Sequence, residues 1–203
     1  MLRTFTIAEP TLVLLKRLQQ VPLLEDLRLV GGTALALQLG HRDSVDLDLF
    51  GVIDKTTEQI IEELKQRGFN IHHDFKSGAV KMLKVDGIKV DIVGKYTNWI
   101  EPPVEIEGIR MAGLKDIATM KLQAITNRGR KKDFIDFYFL LQKFSLGQMF
   151  ELFEKKHPDF NLIFVVKSLS YFNDAEQDPM PKMFIDVSWE EMKSVIRNEL
   201  LKF

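Results

Sequence analysis

Two aspartates, Asp46 and Asp48, alternate with Val45, Leu47 and Leu49 in an otherwise apolar run of the sequence. Successive side chains of a β-strand point to opposite faces, so the run predicts a strand that carries both carboxylates on one face. Two neighbouring anions repel each other, and one would take up a proton unless a cation lies between them. A divalent metal ion is the simplest cation that fits, so the run predicts a metal site.

A pair of glycines, Gly31 and Gly32, follows a predicted strand at residues 27–30 and precedes a predicted short helix. Glycine allows another group to approach the backbone closely, and Thr33 is placed to cap the helix. The free N–H groups and positive dipole end of such a helix suit a phosphate. Together with the two carboxylates, this unit indicates chemistry on a nucleoside triphosphate.

A third carboxylate, Asp91, interrupts the apolar residues Val90, Ile92 and Val93 of another predicted strand. A buried, isolated aspartate costs several kcal/mol unless it is neutralised or bound to a cation. We therefore interpret Asp91 as the third acid of the metal site. The alternative is an edge-strand residue that faces water, because Lys89 on the same face would make that side polar.

A predicted helix at residues 114–127 carries Lys121 in the middle of an apolar stripe, with Arg128 close to the same line. A lysine in such a stripe commonly extends to the rim of the core. Here the carboxylates and a triphosphate would face the stripe and offer an anion. We therefore predict that Lys121 and Arg128 offset phosphate charge.

The densest group of cations lies at the junction of two predicted helices and comprises Arg128, Arg130, Lys131 and Lys132. The net charge of −1 provides no general attraction for nucleic acid, so a polynucleotide would need such a local patch. The alternative is a solvated helix junction. Asp133 and Asp136 follow in the first turn of the next helix, where acids favour the helix dipole whatever the function.

The elements that must position these residues follow from the remaining pattern. It predicts a helix over residues 9–20, a helix from residue 56 or 57 to residue 68, and strands at 69–75, 80–85 and 88–93. The dipeptide Asp86-Gly87 predicts a tight hairpin between the last two strands. His72 and His73 face opposite ways, and we interpret them as surface residues. His41 and Arg42 lie in the turn before the metal strand, where they either contact the nucleotide or fix the loop.

The ordered set of motifs resembles the polymerase-beta-like nucleotidyltransferase superfamily and, more narrowly, the AbiEii/AbiGii toxin family of bacteria. The segments that carry this resemblance are Gly31-Gly32-Thr33-Ala34-Leu35-Ala36-Leu37, Gly40-His41-Arg42, Asp46-Leu47-Asp48-Leu49-Phe50, Lys121-Leu122-Gln123-Ala124, Arg128-Gly129, Lys132-Asp133-Phe134-Ile135-Asp136, and Asp174-Ala175-Glu176 followed by Pro179-Met180-Pro181. They extend over almost the whole chain.

The resemblance implies an α+β fold of the nucleotidyltransferase type, with a small mixed sheet, flanking helices and a helical C-terminal half. The pattern becomes helical after residue 112, so we expect a core at residues 1–111 and a helical region at 112–203, with a loop at 173–181. The resemblance also implies transfer of a nucleotide from an NTP to an acceptor hydroxyl, on a tRNA end or a protein. The enzyme would be the toxin of a toxin–antitoxin pair, with a cognate antitoxin as partner.

The site implied by the resemblance combines the residues above. Mg²⁺ or Mn²⁺ would be held by Asp46, Asp48 and Asp91, and Asp133 would orient Lys121 or a metal-bound water. The NTP would be bound by Gly31, Gly32, Thr33, Lys121, Arg128 and Lys132. An alternative function is a nucleotide-binding or partner-binding module that keeps the fold without turnover.

Composition indicates where in the cell the protein acts and which kinds of site it can contain. The 203 residues contain no cysteine, which excludes a disulfide framework and a thiolate metal site. The sequence has no apolar run near the roughly 18 residues of a membrane span, and its start lacks the apolar segment of a signal peptide. We therefore expect a cytoplasmic bacterial protein without membrane contact.

Overall fold

The computed structural model describes residues 1–72 and 80–202. In these residues one sheet contains strands β1 (Arg28–Val30), β2 (Leu47–Phe50), β3 (Ile71–His72), β4 (Val80–Val85), β5 (Ile88–Val93), β6 (Val104–Ile106) and β7 (Ile109–Met111). The helices are α1 (Glu9–Gln19), α2 (Gly31–Leu39), α3 (Thr57–Gln66), α4 (Leu114–Asn127), α5 (Lys131–Leu141), α6 (Leu146–Lys156), α7 (Leu162–Ser170), α8 (Asn173–Glu176) and α9 (Trp189–Leu201).

The sheet has the strand order β3-β4-β5-β2-β1-β7-β6 and is mixed. Its centre is the parallel pair β2 and β5, flanked by antiparallel pairs β1–β2 and β4–β5. Strand β7 then runs parallel to β1. The predicted α+β fold with a mixed sheet and flanking helices is confirmed.

The hairpin between β4 and β5 shows how local sequence determines the sheet. Asp86 and Gly87 have φ angles of 49° and 84°, and this pair of left-handed conformations matches the twist of the flanking strands. A strand was predicted at residues 69–75, and in the described part of this range the structure has strand β3 at Ile71–His72. Residues 73–75, including the predicted surface residue His73, lie outside the described residues, whereas His72 is exposed as expected.

Helix ends follow the capping residues in several places. Helix α3 begins with a capping box, in which the Thr56 hydroxyl accepts a hydrogen bond from the backbone N–H of Gln59 and the backbone N–H of Thr56 donates to Gln59 Oε1. Ser188 starts α9 by accepting from the backbone of Glu191 at 3.1 Å. The prediction of a continuous loop at 173–181 is wrong, because residues 173–176 form the single turn α8, whose Ala175 is buried.

The hydrophobic core joins residues from both halves of the chain. Leu29 and Leu49 of the sheet belong to the same buried cluster as Phe137 and Phe150 of the later helices. Helix α4 packs on α2 and also on α5, α6 and α7, so it connects the sheet to the C-terminal helices. The boundary near residue 112 stays a prediction. In the described residues, none of the helices is long and apolar enough to cross a membrane.

Candidate active site

Asp48 and Asp91 are register partners on the parallel strands β2 and β5. Both line a cavity of about 460 Å³ between the sheet and α4. Burial, and then the charge of Asp91, raise the pKa of the Asp48 carboxyl. Asp91 Oδ2 lies 2.7 Å from the ammonium of Lys89, whereas its buried Oδ1 has no hydrogen-bond partner in the described part of the chain. The structure therefore brings two of the three predicted acids together.

Asp46 precedes β2 and lies at the mouths of two other clefts. One, of about 290 Å³, is lined by Asp46 with Arg42 and Lys132, and the other, of about 600 Å³, by Asp46 with Met82 and Lys89. Asp46 interacts electrostatically with Asp48, whose pKa it helps to raise. Within residues 1–72 and 80–202, no three His, Cys, Asp or Glu side chains are close enough together to hold a metal ion. The three-carboxylate metal site therefore stays a prediction.

Both glycines lie at the start of α2, against charged groups. Gly31 has a φ angle of 69°, and a Cβ atom on it would lie 2.6 Å from Asp48 Oδ2. A Cβ atom on Gly32 would collide with the Arg42 guanidinium. The left-handed φ and these two close approaches explain why the turn requires glycine.

Thr33 does not cap α2, so that prediction is wrong. The helix begins at Gly31, its N-cap is Val30, and no side chain forms a cap hydrogen bond. The buried Thr33 hydroxyl instead donates to the Asp46 carbonyl and lies 2.7 Å from the hydroxyl of Ser44. Thr33 thus fixes the backbone that leads into β2. Because its hydroxyl is already hydrogen-bonded, the predicted contact with the nucleotide would have to come from its backbone N–H.

Asp136 of α5 is the centre of a buried charge network beneath α2. Its Oδ1 accepts hydrogen bonds of 2.7 Å from His41 Nε2 and from Arg42 Nε. Its Oδ2 accepts from Arg42 Nη2 at 2.8 Å and lies 2.6 Å from Lys121 Nζ. Burial alone would raise the pKa of Asp136, but the charges of Arg42 and Lys121 outweigh it and hold the pKa well below its usual range.

Lys121 is buried between two carboxylates of α5. Its ammonium lies 3.0 Å from Asp133 Oδ1, and Asp133 Oδ2 lies 3.0 Å from Arg128 Nε. Burial would lower the pKa of Lys121, but the charges of Asp136 and Asp133 raise it overall. Lys121 therefore has an inward position as predicted, but its direct anionic partners come from α5 and not from the sheet. Lys121 and the half-exposed Arg128 still line the 460 Å³ cavity.

Only some of the cations at the junction of residues 128–132 are exposed. Lys131 is buried and donates to the backbone carbonyls of Glu176 and Asp178 at 3.2 and 2.5 Å, so it is not part of an exposed patch. Arg130 lies 3.3 Å from the Asp178 carboxylate. Lys132 is exposed and lines the cleft that leads to Asp46.

Several site residues were missed from sequence. Gln123 and Asn127 lie one helical turn apart on α4 and line the cavity opposite Phe50 and Val93. Their spacing on the same helix as Lys121 was the available signal. Asp136 belongs to a segment that carries the family resemblance, but it was interpreted as a helix-dipole acid and was given no role at the site.

The site thus combines carboxylates on adjacent parallel strands with the Gly31-Gly32 start of α2. Two solved structures share this fold. JHP933 from Helicobacter pylori is 21% identical with a TM-score of 0.59, over 97% of this chain and 94% of that one. MenT4, a nucleotidyltransferase toxin of Mycobacterium tuberculosis H37Rv, is 14% identical with a TM-score of 0.52, over 94% of this chain and 84% of that one.

The sequence comparison gives the family. The family model described as "Nucleotidyl transferase AbiEii toxin, Type IV TA system" matches residues 13–202, so the chain belongs to the AbiEii family. An uncharacterized protein of Aquifex aeolicus (strain VF5) is 32% identical over 194 residues, which cover 93% of each chain. The predicted family is confirmed, and the protein is a nucleotidyltransferase of a toxin family.

Proposed function

We propose that the protein transfers a nucleotide from an NTP to an acceptor hydroxyl with the help of a divalent metal ion, as the toxin of a toxin–antitoxin pair in the bacterial cytoplasm. The observation that carries this proposal is the pairing of Asp48 with Asp91 in a cavity whose other walls hold Gly31 and Lys121. Two carboxylates, a helix start that suits phosphate, the buried Lys121 and the half-exposed Arg128 thus line one cavity. The family membership supports the transfer reaction itself.

The two carboxylates fit a divalent cation. Mg²⁺ is commonly bound in proteins by one or two carboxylates, with waters and substrate phosphates as its other ligands. Asp91 Oδ1 lacks a hydrogen-bond partner among the described residues, and a bound cation would supply one. The pKa of Asp48 is raised, and a bound cation would lower it. Asp48 and Asp91 would hold Mg²⁺ or Mn²⁺, and Asp46 would join them from the start of β2. The ion would supply charge neutralisation at the phosphates and acidify the acceptor hydroxyl.

The transfer forms a bond between the acceptor oxygen and the α-phosphorus of the NTP. The bond from that phosphorus to the bridging oxygen breaks, and pyrophosphate leaves with its electron pair. Asp91 would receive the hydroxyl proton, and the N–H groups at the start of α2 would bind phosphate. Lys121 and Arg128 would stabilise the charge that develops on pyrophosphate, while Asp133 positions both cations.

The nucleoside would lie in the cavity between the sheet and α4. Phe50, Val93 and Met120 provide apolar walls for a base, and the amides of Gln123 and Asn127 provide donors and acceptors for its edge. This placement would leave the phosphates near Gly31, because Gly31 lies close to Asp48 and both residues line the same cavity.

The acceptor would approach through the 290 Å³ cleft that Asp46 lines. Arg130 and Lys132 line this cleft together with the segment at residues 178–181, although Asp43, Asp46 and Asp178 line it as well. The two exposed cations can contact a phosphate backbone, so we propose a tRNA end as the acceptor and not a protein hydroxyl. Lys132 would then serve the acceptor as well as the NTP.

The proposal is tested by incubating the protein with each α-labelled NTP, Mg²⁺ or Mn²⁺, and either total tRNA or total bacterial protein. We expect labelled tRNA from the wild type and a loss of about a hundredfold or more in Asp48→Asn and Asp91→Asn, comparable to the loss of a transition-state donor. The exposed Asp54 provides the control, since Asp54→Asn makes the same chemical change away from the cavity.

Transfer that survives in both Asp48→Asn and Asp91→Asn would contradict the proposed site. Label on protein but not on tRNA would contradict the assignment of the acceptor. Growth arrest by overexpressed wild type and by Asp48→Asn alike, without labelled product, would support the non-catalytic binding module.

A further inference from the structure

Lys89 of β5 lies on the same sheet face as Asp91 and is in direct contact with it. Its ammonium is 2.7 Å from Asp91 Oδ2, and the Lys89 side chain is 51% exposed while that of Asp91 is 14% exposed. The ion pair therefore places an ammonium group directly on one of the predicted metal ligands.

A divalent cation at Asp91 would meet this ammonium at short range. Like charges only a few ångströms apart repel strongly at the effective dielectric of a protein surface. The cation must therefore displace Lys89 from Asp91 or bind less tightly beside it. Space for displacement exists, because Lys89 also lines the neighbouring 600 Å³ cleft with Met82 and Lys84.

We propose that Lys89 is an internal counter-ion of the Asp48–Asp91 pair and competes with the divalent cation for Asp91. The competition weakens metal binding in the absence of nucleotide. An NTP brings its own negative charge, which attracts both the metal and the displaced ammonium, so metal and nucleotide would bind together. This inference rests on the proposed function, because it assumes that Asp48 and Asp91 hold the metal.

The matched control for Lys89 is its cross-strand neighbour. Lys84 is the register partner of Lys89 on β4 and is also exposed. Lys84→Met and Lys89→Met therefore change the net charge equally at nearly the same place, but only Lys89→Met removes the ion pair with Asp91.

The test is calorimetric titration of Mn²⁺ into the nucleotide-free protein. We expect Lys89→Met to bind Mn²⁺ about tenfold more tightly than the wild type, a difference of about 1.4 kcal/mol. Lys84→Met and Lys89→Arg should bind with wild-type affinity, because both keep a cation at Asp91. Adding an NTP should improve Mn²⁺ affinity more in the wild type than in Lys89→Met.

A second measurement covers the case in which the variant is unstable. In EDTA, Lys89→Met and the polar variant Lys89→Gln should melt below Lys84→Met, and Mn²⁺ should restore their melting temperatures. If Lys89→Met and Lys89→Gln both bind Mn²⁺ no more tightly than the wild type, the counter-ion role is overturned. Mn²⁺ binding that is unaffected by Asp91→Asn, or absent from every variant, would instead refute the metal site of the proposed function.

Discussion

Replacing Asp136 with Asn tests whether the buried charge network holds the fold around the site. Asp136 has no exposed surface and binds His41, Arg42 and Lys121. The amide introduced by Asp136→Asn would keep the shape of the side chain but remove the negative charge. Arg42 would lose its buried ionic partner, while Lys121 would keep only Asp133. The effect should therefore be that of breaking a buried ion pair.

Removing one partner of a buried ion pair typically costs about 3–5 kcal/mol, because the other charge stays buried without compensation. This is a large part of the roughly 5–15 kcal/mol by which a native protein is stable. With a urea m-value of about 2–3 kcal/mol per molar for a chain of this size, the midpoint should fall by about 1–2.5 M. Asp54→Asn, at an exposed position, should change stability by no more than about 0.5 kcal/mol.

The pH dependence provides an independent check of the same assignment. The folded-state pKa of Asp136 lies well below its ordinary value, so its contribution is complete above the unfolded-state pKa and is lost as the pH falls through the folded value. The stability difference between wild type and Asp136→Asn should be constant from about pH 6 to 8 and shrink below about pH 4. A urea midpoint within about 0.2 M of the wild type at pH 7 would refute the reasoning, as would a difference that grows on acidification.

Three further predictions address the cavity and its entrance. Gly31→Ala and Gly68→Ala should both lower the free energy of unfolding by about 1–2 kcal/mol, because both glycines have a left-handed backbone. Only Gly31→Ala places a Cβ atom 2.6 Å from Asp48 Oδ2, so only this variant should lose nucleotide binding, as measured by calorimetry. Asp48→Asn should melt at or above the wild type in EDTA at neutral pH, and the difference should vanish on acidification, because a raised pKa means that the charged form costs stability. A lower melting temperature would show that Asp48 is structural. Replacing Arg130 and Lys132 together with Ala should weaken tRNA binding more than nucleotide binding and should lower the salt dependence of tRNA binding; unchanged tRNA affinity would place the acceptor elsewhere.

Much of the fold could be predicted because local rules decide it. The Asp86-Gly87 dipeptide determines the hairpin through its own φ angles, and Thr56 determines the start of α3 through its own hydroxyl. The same kind of rule failed for Thr33, which has the right residue type for a cap but lies inside the first turn of α2. There its hydroxyl finds a better acceptor in the Asp46 carbonyl, which comes from another part of the chain.

The sequence predicted which residue types form the candidate site, but it did not predict which of these residues contact each other. Alternation indicated that Asp48 and Asp91 lie in strands, yet their register follows from the parallel β2–β5 pairing, which no local pattern specifies. Helical phase likewise indicated that Lys121 points inward without identifying its partners. The carboxylate of Asp136 reaches Arg42 from 94 residues away, and contacts over such separations depend on the packing of whole elements.

The start of α2 separates two charge systems of opposite character. On one side, the three carboxylates of Asp46, Asp48 and Asp91 outnumber the ammonium of Lys89, and Lys121 also acts on Asp48. On the other side, three cations, Arg42, Lys121 and Arg128, share two carboxylates, Asp133 and Asp136. The second system therefore keeps an excess of positive charge although each of its cations is already paired. Because Gly31 lies close to the first system and Gly32 close to the second, a triphosphate at this helix start would lie between the proposed metal site and that positive excess.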